Sequence, residues 1–156
     1  MEDISIIIEK LRKANLTISV AESCTGGRIA SNIVSFDGAS EFFLGGVVTY
    51  STHSKIRILN IDKKRIELYG VVSPEIAKDM SNAVKDLFDS DISISITGNV
   101  GSKSGDGLSP IGQVFISINF MNKVDVWEFN LKDNRNSNIE TAVSKVFTLL
   151  NNILKN

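Results

Sequence analysis

Residues 17–27, TISVAESCTGG, set a short alternating run, Thr17–Ala21, against a turn rich in hydroxyls and glycines. A helical pattern then starts at Thr25 and carries Ile29, Ile33 and Val34. A strand, a tight turn and a helix start in so short a stretch open a βα unit. The stretch therefore predicts an α/β domain whose small-molecule site gathers where the strand ends and the helix begins.

The pattern continues on both sides. Ile4, Ile7, Ile8 and Leu11 recur at i, i+3, i+4, i+7, which predicts an amphipathic helix over 3–14 with Asn15 as its stop. Phe42–Tyr50 reads as a strand with a close backbone approach at Gly45–Gly46, and 51–68 as one or two short helices. Ser73–Pro74 supplies a capping hydroxyl and then a proline at the first helical position, so a helix runs from there to about Phe88 through Ile76, Met80, Val84 and Leu87. Ile92, Ile94 and Ile96 alternate with serines, as in a strand with one buried face. Gly98–Pro110 is a polar loop with four glycines in thirteen residues. Gln113–Asn119 and Val124–Leu131 predict a hairpin turning at Met121–Asn122–Lys123. Ile139, Ala142, Val143, Val146, Leu149, Leu150 and Ile153 close the chain as a long helix. No linker or repeat interrupts the series, so one domain over 1–156 is expected, and the hairpin makes its sheet mixed.

Bulk properties exclude several functions. A net charge of -1 over 156 residues gives no basic excess for nucleic acid. The nearest basic run, Lys55, Arg57, Lys63, Lys64 and Arg65, is interrupted by Ile56, Ile58, Leu59, Ile61 and Asp62, as on a solvated helical face. Cys24 is the sole cysteine and His53 the sole histidine, which leaves no disulfide and no His- or Cys-based metal cluster. Met1–Glu2–Asp3 is acidic and does not resemble a signal peptide, and no apolar run could span a bilayer. A cytoplasmic protein without membrane or nucleic-acid partners is the expectation.

Three polar segments follow apolar strands. In Ala21–Gly27, free amides at a helix start favour an anion or a developing oxyanion, although ordinary capping by Ser23 or Thr25 explains the same residues. The segment is neither a Walker A loop nor G-x-G-x-x-G. The second runs from Gly38-Ala39-Ser40 through Gly45–Gly46 to Tyr50, Ser51 and Lys55. A lysine taken out of water loses affinity for its proton, and the neutral amine can activate a serine; a solvated surface lysine fits the spacing as well. The third is Thr97–Gly98, where a hydroxyl and amides face a ligand or merely form a flexible turn. Cys24 and His53 supply the minimum for a thiol nucleophile, but nothing local relates them, and Cys24 also suits a small apolar position.

Together these segments resemble the CinA C-terminal domain family, whose stand-alone form is nicotinamide-nucleotide amidohydrolase. The likeness rests on A-E-S-C-T-G-G at 21–27 and on G-A-S-E-F-F-L-G-G-V-V-T-Y-S at 38–51 with Lys55. It continues through G-V-V-S at 70–73, T-G at 97–98 and P-I-G-Q-V at 110–114. It implies a three-layer α/β/α sandwich that forms homo-oligomers. The implied reaction is hydrolysis of the carboxamide of nicotinamide mononucleotide to nicotinate mononucleotide and ammonia, with no metal or other cofactor. The larger family members carry a further N-terminal domain; only about twenty residues precede the first motif here, so that domain and any pyrophosphatase activity tied to it are expected to be absent.

Carried onto this chain, the resemblance implies Ser40 as the nucleophile, Lys55 as its general base, and Ser23 with the helix-start amides as oxyanion support, with the two serines free to exchange roles. It gives Thr97, Gly98 and the turn Thr25, Gly26 and Gly27 to the ribose phosphate, and Tyr50 to the pyridine ring. Arg135 matches the first of two arginines that the family carries before its last helix; Ile139 or Glu140 stands where the second falls. The loop also departs from the family's T-G-x-A-G-P, reading Thr97-Gly98-Asn99-Val100-Gly101-Ser102. Those two departures fit a non-catalytic nucleotide-binding or protein-interaction module, whereas the joint presence of Ser23, Ser40 and Lys55 fits the enzyme.

Overall fold

The computed structural model describes residues 4–155. In chain order the elements are α1 (Ile4–Ala14), β1 (Ile18–Glu22), α2 (Arg28–Val34), a 3-10 turn (Ala39–Glu41), β2 (Phe43–Val48), α3 (Thr52–Leu59), α4 (Lys63–Tyr69), α5 (Pro74–Phe88), β3 (Ile92–Gly98), β4 (Gln113–Phe120), β5 (Lys123–Asn130) and α6 (Arg135–Ile153). The sheet order is β2-β1-β3-β4-β5. β1 runs parallel to both β2 and β3, whereas β4 and β5 are antiparallel additions. The sheet is therefore mixed.

Two apolar layers flank it. On one face Ile7, Ile8 and Leu11 of α1, Ile29 and Ile33 of α2, and Val146, Phe147 and Leu150 of α6 pack on Ile18, Val20, Ile94 and Ile116. On the other face Ile76, Met80 and Val84 of α5 pack with Leu59, Ile61, Ile66 and Ala21. Each such side chain removed from water is worth roughly 1.5–3 kcal/mol before chain entropy is counted. The result is a three-layer α/β/α sandwich.

The local signals act as their chemistry requires. The Ser73 hydroxyl accepts from the Ile76 amide, and Pro74 follows it in the first turn of α5. Asn15 takes a left-handed conformation just beyond α1. Met121 and Asn122 are both left-handed, so a two-residue turn joins β4 to β5, and Lys123 already pairs with Phe120.

Two details differ from the sequence pattern. The second helix begins at Arg28 and not at Thr25, because Gly26 and Gly27 adopt φ of 60° and 96° and hold the chain in a turn. The strand of alternating isoleucines and serines is buried on both faces: Ser93 and Ser95 lie under α5 and donate to the carbonyls of Ser81 (2.7 Å) and Ala77 (2.5 Å). Small hydroxyls let the helix come close while each of these two hydroxyls finds a partner. Asp3, where the pattern starts the first helix, and the acidic Met1–Glu2–Asp3 segment lie outside the described residues. Among the described residues no helix is long and apolar enough to cross a membrane.

Candidate active site

The chain leaves β1 toward β2 on one side and later enters β3 on the other. A crevice opens where neighbouring strands send their connections in opposite directions, above the carboxyl ends of β1 and β3. A cavity of about 250 Å³ occupies that position, lined by Ser23, Cys24, Tyr50, Lys55, Thr97, Gly98 and Arg135 together with the 99–106 segment.

Ser23 follows the last residue of β1 and is 7% exposed. Lys55 reaches it from α3. Ser51 caps that helix, exchanging hydrogen bonds with Ser54, and Lys55 and Leu59 form its inward face. The Lys55 side chain is 2% exposed; its Nζ donates to Ser23 Oγ at 3.0 Å and to the Thr49 carbonyl at 2.7 Å. No carboxylate lies within ion-pair distance of it among the described residues. Burial is the main influence on this amine and lowers its pKa to about 8, with an opposing pull from Cys24. Near neutral pH a usable fraction of Lys55 is therefore uncharged, beside a hydroxyl.

The carboxylate nearest in sequence is engaged elsewhere. Glu22, fully buried, accepts from Thr25 Oγ1 (2.6 Å) and from the amides of Gly27 (3.0 Å), Ile29 (3.1 Å) and Ala30 (2.8 Å). It neutralises the amino end of α2 from within. The resemblance gives Thr25, Gly26 and Gly27 to the phosphate; none of the three lines the cavity, and Glu22 takes the Gly27, Ile29 and Ala30 amides, as capping from within the chain. Among the described residues, the amides of Cys24 and Thr25 at this turn make no backbone hydrogen bond to another residue.

Ser40 is not brought to Lys55. It is exposed on the 3-10 turn Ala39–Glu41, which precedes β2 at the opposite end of the sheet from the cavity. Thr97 lines the cavity, but its hydroxyl donates to the Val71 carbonyl at 2.8 Å. Gly98 lies so close to β4 that a Cβ would stand 2.8 Å from the Gln113 carbonyl oxygen. Tyr50, 60% exposed, stands at the rim and accepts a hydrogen bond from Arg135 Nη2 at 2.9 Å. Arg135 opens α6 and also faces Gly101.

Cys24 shares the cavity wall, but burial pushes its thiol up to about 12 against the pull of its own amide and of Lys55. His53 lies exposed on α3, outside the cavity lining, so the structure brings no Cys–His pair together. No group of three His, Cys, Asp or Glu side chains that could hold a metal ion is present among the described residues. Sequence reasoning passed over Glu22, Asn99, Lys103 and Asp106. Only Glu22 carried a signal: an acid ending an apolar strand must find donors, and a helix start follows it.

Comparison with known proteins agrees with this architecture. The model of the CinA C-terminal domain matches residues 2–154. A CinA-like protein of Flavobacterium psychrophilum is 38% identical over 157 residues, covering 99% of this chain and 38% of its own length. One from Fervidobacterium nodosum is 39% identical over 130 residues, covering 83% of this chain and 32% of that protein. The chain thus spans about a third of the length of these curated relatives. Among solved structures, a competence-damaged protein (CinA) superfamily protein from Klebsiella pneumoniae superposes with a TM-score of 0.92 at 26% identity, over 96% of this chain and 93% of that one. One from Escherichia coli gives 0.91 at 27% identity, over 94% and 85%. This chain belongs to the CinA C-terminal domain family.

Proposed function

We propose that this CinA-family domain is an amidohydrolase acting on the carboxamide of nicotinamide mononucleotide, with Ser23 as nucleophile and Lys55 as its base. One observation carries the reading: a buried lysine amine, with no acid to hold its proton, stands 3.0 Å from a serine hydroxyl at the mouth of the β1/β3 crevice.

The chemistry follows from the two groups. Uncharged Lys55 takes the Ser23 proton as Oγ bonds to the carboxamide carbon. The carbonyl oxygen gains the negative charge, and the amide of Cys24, the cavity-lining residue next to Ser23, serves as its donor. Lys55 then returns the proton to the amide nitrogen, ammonia leaves, and an ester on Ser23 remains. Water deprotonated by Lys55 hydrolyses that ester to the carboxylate and frees the serine. Tyr50 offers a ring at the rim for the pyridine, and Arg135 and Lys103 offer positive charge for the phosphate. Ser40 has no part in this reading. The proposal extends to a homo-oligomer acting on a cytoplasmic nucleotide pool, which sedimentation of the purified protein and fractionation of its host cells check.

Incubating the purified protein with nicotinamide mononucleotide and measuring ammonia tests the core of the proposal. Release that disappears in Lys55→Ala supports it. Release untouched by Lys55→Ala rejects the mechanism. Binding of the nucleotide without any release favours a non-catalytic module instead.

A further inference from the structure

Residues 100–111 belong to no helix or strand, and Val100, Gly101, Lys103, Gly105 and Asp106 among them line the cavity. Asn138 Nδ2 donates to the Val100 carbonyl at 3.1 Å, and one other side chain reaches the segment at several points. Asn99, immediately after β3, is 5% exposed. Its backbone closes the base of the loop: the amide donates to the Gln113 carbonyl at 2.9 Å, and the carbonyl accepts from Gly112 at 2.7 Å. Its side chain reaches two further points. Oδ1 accepts from the Gly105 amide at 2.8 Å, halfway round the loop, and Nδ2 donates to the Ser109 and Pro110 carbonyls at 3.2 and 3.3 Å, on the way back. Both poles of the amide are therefore engaged by the loop.

A second clasp tightens the tip. Asp106 accepts from Ser104 Oγ, the Leu108 and Ser109 amides, and Ser109 Oγ, at 2.7 to 3.0 Å. Ser109 Oγ in turn docks on the Val72 carbonyl at 3.2 Å. The Asp106 clasp joins only neighbours in sequence, however, and Asn99 is what ties the loop back to the sheet. The wall so fixed contributes Gly101 and Lys103 to the same cavity that Ser23 and Lys55 line.

We infer that Asn99 is a positioning residue for substrate: it fixes the 100–110 wall so that Gly101 and Lys103 meet the part of the ligand remote from the reacting carboxamide. The inference rests on the amidohydrolase reading for its kinetic consequence and on hydrogen bonding alone for its structural one. Asn99 touches neither Ser23 nor Lys55 through a hydrogen bond, so binding should suffer while the chemical step survives.

The test uses Asn99→Ala and the isosteric Asn99→Asp, whose carboxylate keeps the acceptor for Gly105 but cannot donate to the Ser109 and Pro110 carbonyls. Both variants should raise KM for nicotinamide mononucleotide roughly tenfold with kcat within about twofold of the parent. Amide hydrogen exchange in 101–110 should quicken roughly tenfold while β3 and α6 keep their protection. A residue needed only for stability would speed exchange across the domain and lower the active fraction without moving KM. Unchanged KM in a folded variant, or loop exchange equal to that of the parent, overturns the inference. Should Asn99→Ala not fold, Asn99→Asp decides. A parent protein that releases no ammonia sinks the amidohydrolase reading, and the exchange measurement then judges the loop on its own.

Discussion

Lys55 Nζ and Ser23 Oγ lie 3.0 Å apart, one on α3 and the other just past β1, and the amine's second hydrogen bond goes to the neutral Thr49 carbonyl and not to an acid. An ion pair here would keep the lysine charged and idle. Burial without a counter-charge does the opposite, bringing its pKa down to about 8. The activity proposed above should therefore rise with pH as Lys55 loses its proton, bend near about pH 8 and then level off. A kcat/KM profile flat from about pH 6 to 10 contradicts the assignment of Lys55 as base.

The two candidate serines give a clean contrast. Ser23→Ala should lower kcat by about a thousandfold or more, the usual scale for removing a nucleophile. Ser40→Ala, on the exposed turn Ala39–Glu41, should leave kcat and KM within about twofold. Steady-state kinetics on both variants reads the difference, and the reverse ranking would transfer the nucleophile to Ser40.

The same amine should leave a mark on stability. Between its folded value of about 8 and its ordinary 10.5, the unfolded chain binds a proton that the native chain does not, so stability rises with pH in that window. Below it both states are charged, and the native state carries the cost of the buried cation. Lys55→Met lacks this dependence. Its stability relative to the parent should therefore fall as pH climbs from about 7 to about 10, by roughly 3 kcal/mol at most. Urea unfolding of both proteins at several pH values measures the gap; a constant gap would show that Lys55 is not desolvated as described.

Glu22 offers a test of the turn itself. Its two oxygens serve three amides and one hydroxyl. Glutamine keeps one acceptor oxygen and presents an NH2 group to donors, so Glu22→Gln should destabilise the fold by about 2 kcal/mol. Since Ser23 is the next residue, activity should fall as well. Thermal unfolding that leaves Tm unchanged would mean that the amino end of α2 finds another partner.

Much of this was legible in residue order. Apolar spacing marks α1, α5 and α6, and Ser73–Pro74 fixes where α5 begins, because capping and periodicity are local. The pairing of Lys55 with Ser23, and the separation of Ser40 from both, were not legible. Ser23 and Ser40 both lie beside glycines in segments of similar polarity, and only the parallel pairing of β1 with β2 puts Ser40 at one end of the sheet and Ser23 at the other. Glu22 was overlooked because a carboxylate in a strand looks like a surface residue until its donors, up to eight positions ahead, fold back on it. Asn99 gave no signal at all, since its partners Gly105, Ser109 and Pro110 belong to a stretch without periodicity.

The hairpin at Met121–Asn122 bears on the order in which the molecule assembles. β4 and β5 are neighbours in the chain and can zip together from their own turn, whereas Ile18 must find both Phe43 and Ile92 before the central strands exist. Ser23 and Lys55 are mounted on that slower half. A chain caught midway in refolding will hold its antiparallel ribbon while the reactive pair is still apart, so recovery of turnover should lag behind recovery of β-structure.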